Sequence, residues 1–389
     1  MSDTMTSVPL TPLLLPEDAD IAVATLQRAL EAVHRGDRAI APITEPGQAQ
    51  GLPERVPAGT AAVLSTSGSS GVPKRTILSR KALLASATAT SERLGGAGDW
   101  LLCLPAGFVA GFQVISRAVL SGTRVATLRE GRFDPAGFAA AARRMPPGRR
   151  YTSLVPTQVS RLLAEPESRS ALAVFDTVLI GGARLDAATD RRLREVTDAV
   201  VTYGMTETCG GCVYDGVPLR GVDVRIIDDI VHIGGDVVAD GYLESPGEVP
   251  FYAEGETRWY RTADRGVFTN GVLVPTGRID DLINTGGVKV SAVAIEQALA
   301  ELPAIASVVV MGIPDTEWGE LVAAYIVPRQ GVSMPEPELL RDLVRQRLGR
   351  AAVPKRFVVG TELPLLPNSK IDRRAVHGRL TTGTEHARA

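Results

Sequence analysis

The decapeptide STSGSSGVPK, Ser65–Lys74, is the most informative stretch of this chain. It places hydroxyl side chains, glycines and one lysine between an apolar run and a helical pattern. Backbone N–H groups and hydroxyls in such a loop can surround phosphate oxygens, and the compact ammonium of Lys74 adds positive charge. The loop is not a Walker A motif, because Gly68 and Gly71 are too close together and Arg75 follows the lysine. We therefore predict a phosphate-binding loop, with a flexible surface loop as the alternative.

The sequence around this loop predicts an α/β fold. From Ala61 to Gly204 short apolar runs alternate with helical patterns, which is typical of a parallel sheet with helices packed on its faces. Ligands of such sheets bind beyond the carboxyl ends of the strands. One amphipathic helix is predicted to open the fold. Its apolar positions are Ile21, Leu26, Leu30 and Val33, and Gly36 is predicted to end it.

The second half of the chain has a different pattern. After Tyr214 short β runs predict a β-rich subdomain, in which Asn270-Gly271 forms a hairpin turn. Past Arg278 the pattern becomes compact α+β. We therefore predict a large, multi-layer N-terminal domain of residues 1–278 and a small, mobile α+β C-terminal domain of residues 279–389.

Composition excludes several classes of protein. Lys and Arg total 42 against 44 Asp and Glu, so no basic field exists to hold nucleic acid or an anionic membrane. Four histidines make a His-rich metal site or a Ser-His-Asp triad hard to assemble, and three cysteines are too few for a disulfide framework. No run approaches the roughly 18 apolar residues of a membrane span, and the N-terminus is a poor signal peptide. We expect a cytoplasmic protein.

A second motif, YGMTET, spans Tyr203–Thr208 at the end of a predicted strand. Glu207 has the carboxylate that Mg²⁺ prefers, Thr206 can donate to a phosphate, and Tyr203 offers an aromatic face to a purine. The position beyond a strand end favours a functional role. A simple turn that ends the strand is the alternative.

The third motif joins YRTADRGVF, Tyr260–Phe268, to GRIDDLINTGG, Gly277–Gly287. Asp264 can accept hydrogen bonds from both hydroxyls of a ribose, and Arg278 can reach the same sugar. The acidic pair that begins at Asp280 is interpreted as a hinge between the domains. A solvated turn is the alternative.

The fourth motif is LPLLPNSKIDRRAV, Leu363–Val376, with Lys370 in a polar turn between apolar residues. A lysine on a small mobile domain can be delivered to a phosphate when the domain closes. A surface cation in a loop is the alternative.

Together these motifs, with GIPDTEWGE at Gly312–Glu320, resemble the adenylate-forming acyl- and aryl-CoA ligases. The resemblance implies a reaction in two steps, in which a carboxylate attacks the α-phosphate of ATP and a thiol then displaces AMP. It implies Mg²⁺ bound to Glu207, CoA as co-substrate, and catalysis by Lys370, Thr206 and Glu207. It also implies ATP contacts from two groups of residues: the loop residues Thr66, Ser67, Gly68, Ser69, Ser70, Gly71 and Lys74, and the later residues Gly182, Ala183, Arg184, Tyr203, Gly204, Asp264 and Arg278.

The resemblance also implies a moving domain. In the family the small domain rotates about a hinge that corresponds to Asp280, which carries Lys370 away and brings Gly286 and Gly287 to the CoA thiol. Only 64 residues precede Ser65, so the N-terminal domain is expected to be abbreviated.

Within the family the segments YGMTETCGGCVYDG and PLRGVDVRI are most similar to the o-succinylbenzoate–CoA ligases of menaquinone biosynthesis. That substrate has a second carboxylate, for which Arg93 or Arg184 is a candidate cation. Candidate walls of the acyl pocket are Phe108, Phe112, Thr157 and Gly181, with Phe108 at the position of a family histidine. Expected partners are the acid, ATP and CoA, without nucleic acid or membrane, and a homodimer is left open.

Other functions remain open at this point. An enzyme that acts on other acyl or aryl acids, or one that loads a carrier protein, would share most of these motifs. A non-catalytic adenylate-binding protein is opposed by the intact set of Lys74, Glu207, Asp264 and Lys370.

The pair Cys209 and Cys212 forms a CxxC pattern that a redox or zinc site would also show. No second CxxC and no nearby histidine completes a metal site. We therefore favour the interpretation that these small residues shape the acyl pocket.

Overall fold

The computed structural model describes residues 7–66, 74–128, 133–244, 250–279, 281–329, 331–366 and 371–382. Its helices, in chain order, are α1 (Ala19–Arg35), α2 (Arg80–Arg93), α3 (Val109–Ser121), α4 (Pro135–Arg144), α5 (Pro156–Ala164), α6 (Pro166–Leu172), α7 (Ala187–Arg194), α8 (Ala292–Ala300), α9 (Pro337–Leu348) and α10 (Arg373–Thr382). Its strands are β1 (Ser7–Leu14), β2 (Ala39–Ile43), β3 (Arg55–Pro57), β4 (Thr60–Thr66), β5 (Lys74–Ser79), β6 (Asp99–Leu102), β7 (Val125–Thr127), β8 (Arg150–Leu154), β9 (Thr177–Ile180), β10 (Ala199–Met205), β11 (Gly210–Tyr214), β12 (Val217–Pro218), β13 (Val222–Ile227), β14 (Ile230–Gly235), β15 (Gly241–Tyr242), β16 (Phe251–Glu254), β17 (Thr257–Thr269), β18 (Val272–Arg278), β19 (Leu282–Thr285), β20 (Val288–Ser291), β21 (Ile305–Asp315), β22 (Gly319–Pro328) and β23 (Arg356–Val359).

The chain divides into two compact units. The first consists of Met1–Ile227, His232–Thr262 and Phe268–Leu273, and the second consists of Asp228–Val231, Ala263–Val267 and Val274–Ala389. The predicted boundary after residue 278 stays a prediction.

The first sheet has the strand order β15-β5-β4-β2-β1-β3, in which β1, β2 and β4 are parallel neighbours and the remaining pairs are antiparallel. The expectation that a helix opens the fold is wrong, because β1 precedes α1. The prolines Pro9 and Pro12 concealed this strand, since proline lacks the N–H that a sheet ladder uses and is uncommon inside strands.

The predicted helix that follows is confirmed as α1. The Asp18 side chain accepts a hydrogen bond from the Ile21 N–H at its start, and Gly36 adopts φ 91° at its end. Leu26, Leu30 and Val33 are fully buried, and burial of such a side chain contributes about 1.5–3 kcal/mol. Ile21 is different: it is 56% exposed, so its assignment to the apolar face is wrong.

The second sheet confirms the predicted parallel architecture. Its order is β12-β11-β10-β9-β8-β6-β7, and the strands from β10 to β7 are parallel. Helices α4 to α7 cover it through a buried cluster that includes Phe138, Leu162, Leu172, Val178 and Leu193. Because β9 and β10 are parallel neighbours, the segments that follow them leave the same edge of the sheet.

The third sheet has the order β13-β14-β17-β16, with β18 paired to β17. The predicted turn between β17 and β18 is confirmed, since Asn270 and Gly271 both have positive φ, 53° and 78°. That combination is typical of a tight hairpin turn.

The second unit contains the fourth sheet, ordered β20-β19-β22-β21 with β23 parallel to β22. Helices α8 and α9 pack on it through buried residues such as Ile295, Leu299, Leu340 and Val344. The predicted α+β pattern of this region is confirmed. Over the ranges that the structure describes, no helix is long and apolar enough to cross a membrane.

Candidate functional site

The first feature of the candidate site is the base of the Ser/Gly loop. Strands β4 and β5 form an antiparallel pair whose last register partners are Thr66 and Lys74, and the Thr66 hydroxyl donates to the Lys74 carbonyl at 3.3 Å. The loop therefore begins and ends at two residues that pair with each other in the sheet. The predicted phosphate-binding residues Ser67, Gly68, Ser69, Ser70 and Gly71 lie outside the described residues.

The second feature is Glu207, which lies in a single turn of 3-10 helix, Thr206–Thr208, directly after β10. This turn is fixed by Thr208, whose hydroxyl accepts the Met205 N–H at 3.0 Å and donates to the Gly210 carbonyl at 2.9 Å. Glu207 is 8% exposed, and Thr206 is similarly buried. A nearly buried carboxylate at the end of a parallel strand is well placed to receive a cation.

Tyr242, which the sequence analysis did not single out, contacts both features. Its hydroxyl donates to Glu207 Oε1 at 2.7 Å, and the ammonium of Lys74 lies 5.0 Å from the centroid of its ring. Burial, followed by the nearby charge of Glu207, raises the pKa of Tyr242 above its usual range, so the hydroxyl remains a neutral donor. Within the described residues, this is the hydrogen bond that holds the Glu207 carboxylate.

Two further segments surround the end of β10. Gly204 follows Tyr203, and a Cβ atom at position 204 would overlap the carbonyl oxygen of Gly210. Gly181 follows β9, and a Cβ atom there would lie 2.7 Å from Thr202 Oγ1. A side chain at position 204 would collide with the backbone of β11, and one at position 181 would displace the Thr202 hydroxyl, so both glycines allow neighbouring segments to pack closely. The predicted adenine-flanking residues Gly182, Ala183 and Arg184 come next and are exposed.

The predicted ribose ligands Asp264 and Arg278 lie in the second unit, where the structure brings them together. Arg278 Nη1 lies 3.0 Å from Asp264 Oδ1, with the carboxylate nearly buried and the guanidinium more exposed. The Ile279 N–H also donates to the Ala263 carbonyl at 2.8 Å. Their role toward a sugar stays a prediction.

The predicted acyl-pocket residues have different environments. Phe112 is fully buried, whereas Phe108, Thr157 and Gly181 are partly exposed. Of the two candidate cations, Arg93 is already paired with Asp215 at 3.4 Å, and Arg184 is exposed.

A third arginine, Arg117, lies near the end of α3. It is 6% exposed, and its guanidinium carbon lies 5.7 Å from the centroid of the Trp100 ring. Its Nε has no hydrogen-bond partner, and the described part of the chain offers it no ion pair. Gln113, one turn earlier on α3, donates to the Cys209 carbonyl, so this face of α3 lies against the segment that follows Glu207. The guanidinium lines a small cavity at the amino ends of β6 and β8, so it lies away from the carboxyl edge of the sheet that carries Glu207.

The CxxC pair shows no feature of a redox or zinc site. Cys209 and Cys212 are both buried and unbonded to each other. Burial raises the pKa of Cys212 to about 12 and raises that of Cys209 as well, so neither is a reactive thiolate. The described residues contain no group of three or more His, Cys, Asp and Glu that could hold a metal ion, so a metal at Glu207 would have at most one further such ligand among them.

The predicted CoA-binding glycines form the turn between β19 and β20. Gly286 and Gly287 have φ of 58° and 79°, and a Cβ atom at position 286 would lie 2.7 Å from the Trp318 ring. Trp318 is 41% exposed, and the ammonium of Lys355 lies 5.5 Å from the centroid of its ring. Trp318 and Lys355 were not predicted as functional. The predicted hinge Asp280 and catalytic Lys370 lie outside the described residues.

Comparison with known proteins identifies the class. Residues 12–243 match the family of AMP-binding enzymes, and residues 294–370 match the C-terminal domain of AMP-binding enzymes. The chain belongs to this family, which confirms the resemblance to the adenylate-forming ligases and their use of ATP.

Within the family the chain is similar to ligases of one aromatic acid. It is 40% identical to a probable 2-succinylbenzoate–CoA ligase of Mycobacterium tuberculosis, over 83% of this chain and 85% of that protein. It is 32% identical to the 2-succinylbenzoate–CoA ligase of Escherichia coli, over 80% of this chain and 67% of that protein. It is also 30% identical to a 4-chlorobenzoate–CoA ligase of Arthrobacter, over 82% of this chain and 66% of that protein.

Solved structures share the fold. The Bacillus subtilis o-succinylbenzoate–CoA synthetase, in complex with its acyl-adenylate intermediate, superposes with a TM-score of 0.72 at 23% identity, covering 95% of this chain and 88% of that one. An E. coli MenE variant with bound OSB-AMS superposes with a TM-score of 0.74 at 25% identity and the same coverage.

Proposed function

We propose that this protein adenylates 2-succinylbenzoate with ATP and transfers the acyl group to CoA, releasing pyrophosphate and AMP. The observation that carries the choice of acid is Arg184, an exposed cation that follows β9 at the same edge of the sheet as Glu207. The names of the relatives at 40% and 32% identity support the same choice. A cytoplasmic location, where ATP and CoA are available, is part of this proposal.

The proposed chemistry requires little from the side chains beyond positioning and charge. In the first half-reaction a carboxylate oxygen bonds to the α-phosphorus of ATP, and the bond from that phosphorus to pyrophosphate breaks. In the second, the CoA sulfur bonds to the acyl carbon and AMP leaves. A carboxylate is already a nucleophilic anion, so no general base is needed. The enzyme must instead neutralise charge as two anions approach each other.

The residues around Glu207 can neutralise that charge. Mg²⁺ is commonly held by one or two protein carboxylates together with phosphate oxygens and water, and Glu207 offers one nearly buried carboxylate. Bound there, the ion would supply positive charge to the phosphate oxygens of ATP. Lys74, at the base of the Ser/Gly loop, adds a second cation, and Thr206 adds a hydroxyl donor. Lys370 is proposed to stabilise the negative charge that develops at the α-phosphate.

Arg184 supports the proposal because 2-succinylbenzoate carries a second carboxylate on its aromatic ring. A guanidinium carries a permanent charge and presents a planar set of donors that matches a carboxylate. Arg184 is exposed directly after β9, at the edge of the sheet where Glu207 also lies, so an anionic substrate group can reach it.

The surface around Gly286 supports CoA as the acceptor. An exposed indole beside a glycine turn offers a flat face to an adenine, and the Lys355 ammonium offers a positive charge to a phosphate. Both groups belong to the nucleotide half of CoA. A carrier protein would present only the phosphopantetheine arm, without the adenine.

The test compares two acids that differ in one group. 3-Benzoylpropionate keeps the ketone and the reacting carboxylate of 2-succinylbenzoate but lacks the aromatic carboxylate. We expect CoA thioester formation to favour 2-succinylbenzoate, and Arg184→Leu to raise its KM roughly 10- to 100-fold, because a hydrogen bond to a charged group contributes about 1.5–3 kcal/mol. The same substitution should leave the KM for 3-benzoylpropionate nearly unchanged.

Arg93→Leu is the matched control, because Arg93 is paired with Asp215 and should not affect either KM. A chain that prefers an acid without a second carboxylate would contradict the choice of substrate. Equal effects of Arg184→Leu on both acids would contradict the role of Arg184.

A further inference from the structure

The short strand β15 connects two features of the proposed site, the cation Lys74 and the carboxylate of Glu207. Tyr242 is the register partner of Thr76 on β5. Thr76 lies two residues from Lys74, so the side chains of Tyr242 and Lys74 project from the same face of the sheet. The pairing is extended by hydrogen bonds from the Asp240 N–H to the Ile77 carbonyl at 2.9 Å and from the Leu243 N–H to the Arg75 carbonyl at 2.7 Å. Tyr242 is thus tied to the base of the Ser/Gly loop.

The same segment holds Glu207 at two points. The Ala239 N–H donates to the Glu207 carbonyl oxygen at 2.9 Å, and the Tyr242 hydroxyl donates to Glu207 Oε1 at 2.7 Å. One contact fixes the backbone of the turn, and the other restricts rotation of the carboxylate. A segment of four residues, 239–242, therefore sets both the position and the orientation of the predicted metal ligand.

The ring of Tyr242 is itself held in place. Phe251 contacts it edge-on, with ring centroids 5.2 Å apart, and the hydroxyl of Tyr260 lies 3.4 Å from that of Tyr242. Arg258 Nε donates to the Ala239 carbonyl at 2.7 Å, which anchors the start of the segment. A donor in such a packed setting keeps its orientation before any ligand binds.

We propose that Tyr242 is a positioning residue, which orders the Glu207 carboxylate for the magnesium–nucleotide complex and aligns Lys74 beside it. This inference rests on the proposed function, and it adds a residue that belongs to none of the four sequence motifs. Pre-ordering matters because a carboxylate that is already oriented loses less rotational freedom when the metal complex binds.

The test removes one hydroxyl and keeps the ring. Tyr242→Phe should weaken binding of ATP in the presence of Mg²⁺ roughly tenfold, as expected for loss of a hydrogen bond to a charged group. Binding of ATP with EDTA should change little, because it does not use the carboxylate. Isothermal titration calorimetry measures both affinities without acid or CoA, so the result is independent of which acid is the substrate.

Tyr252→Phe is the matched control, since it also removes a tyrosine hydroxyl that makes a 2.8 Å hydrogen bond, in that case with His232. The melting temperatures of both variants are measured alongside. In a Glu207→Gln background, Tyr242→Phe should cause no further loss of magnesium-dependent binding. Equal weakening with and without Mg²⁺, or an affinity equal to that of the control, would overturn the positioning role.

Discussion

At the scale of single residues, the lysines of this chain separate into functional and ordinary positions. Only five of its 42 basic residues are lysines, and two of them, Lys74 and Lys370, fall in motifs that handle phosphate. A slim, flexible ammonium can follow a phosphate group more easily than a broad guanidinium can. Lys81 is an ordinary case, since it forms an exposed ion pair with Asp236 at 2.8 Å.

We predict that Lys370→Ala reduces adenylation at least 100-fold, because it removes a charge that stabilises the transition state at the α-phosphate. Thioester formation from a supplied acyl-adenylate and CoA should remain largely intact. Pyrophosphate exchange measures the first step, and thioester formation from the synthetic adenylate measures the second. Lys81→Ala is the control and should change neither, whereas equal loss of both steps in Lys370→Ala would be evidence against its role.

The residues that sequence analysis found and those that it missed differ in a physical way. Glu207 and Lys74 stand in short local patterns, so their chemistry is visible in the neighbouring residues. Tyr242 belongs to none of these patterns, because its position beside Glu207 depends on the pairing of β15 with β5.

At the scale of elements, α8 carries a buried acid in the second unit. Glu296 accepts the Val310 N–H at 2.8 Å, and Arg373, at the start of α10, lies 4.0 Å from Glu296 and 3.2 Å from Asp281. Burial raises the pKa of Glu296 to about 7, an effect that Val310 and Arg373 oppose and Asp281 reinforces. The packing of α8 is therefore sensitive to pH.

The sign of this dependence follows from proton binding. Between pH 4.5 and about 7 the folded chain keeps Glu296 protonated while the unfolded chain ionises it, so stability falls as pH rises through this window. We predict that Glu296→Gln, which still accepts the Val310 N–H, removes this fall and stabilises the second unit at pH 8. The effect is on the order of 3 kcal/mol. Thermal unfolding at pH 5 and pH 8 measures it.

Glu301→Gln provides the control on the same segment, because Glu301 is exposed and paired with Arg347. Its unfolding should follow that of the parent chain at both pH values. If Glu296→Gln kept the full pH dependence, the buried acid would not be its source.

Strands, helices and turns were predictable where the hydrophobic pattern and the backbone preferences of the residues favour the same structure. The alternating runs gave the parallel second sheet, and Asn270-Gly271 gave the hairpin turn. They were not predictable where the residue type suggests one structure or burial and the folded chain adopts another. Pro9 and Pro12 disguise β1, and Ile21 follows the helical spacing but lies on the exposed side of α1. Tertiary context decided both cases.

At the scale of the whole molecule, the order of the motifs was more informative than any one of them. The four motifs and GIPDTEWGE follow one another as they do in the adenylate-forming ligases, and residues 12–243 and 294–370 match the two parts of that family. The resemblance implies that the small domain changes its position between the two half-reactions. No sequence pattern gives the domain position at each step.

We predict that Asp280→Pro keeps pyrophosphate release but lowers thioester formation strongly, because proline fixes φ and restricts a hinge. The two steps are measured separately, as for Lys370. Asp280→Ala removes the carboxylate without restricting φ and should retain more of the second step. An unaffected second step in Asp280→Pro would show that the hinge lies elsewhere.

The three cysteines have a practical consequence. Cys103, Cys209 and Cys212 are all buried, and burial raises their pKa values, to about 12 for Cys103 and Cys212. Since alkylating reagents attack thiolates, the folded chain should react slowly with maleimides at neutral pH. A single cysteine introduced on the surface would then be the preferred attachment point for a fluorophore. Pairs of dyes could follow the two units during turnover without first replacing the native thiols.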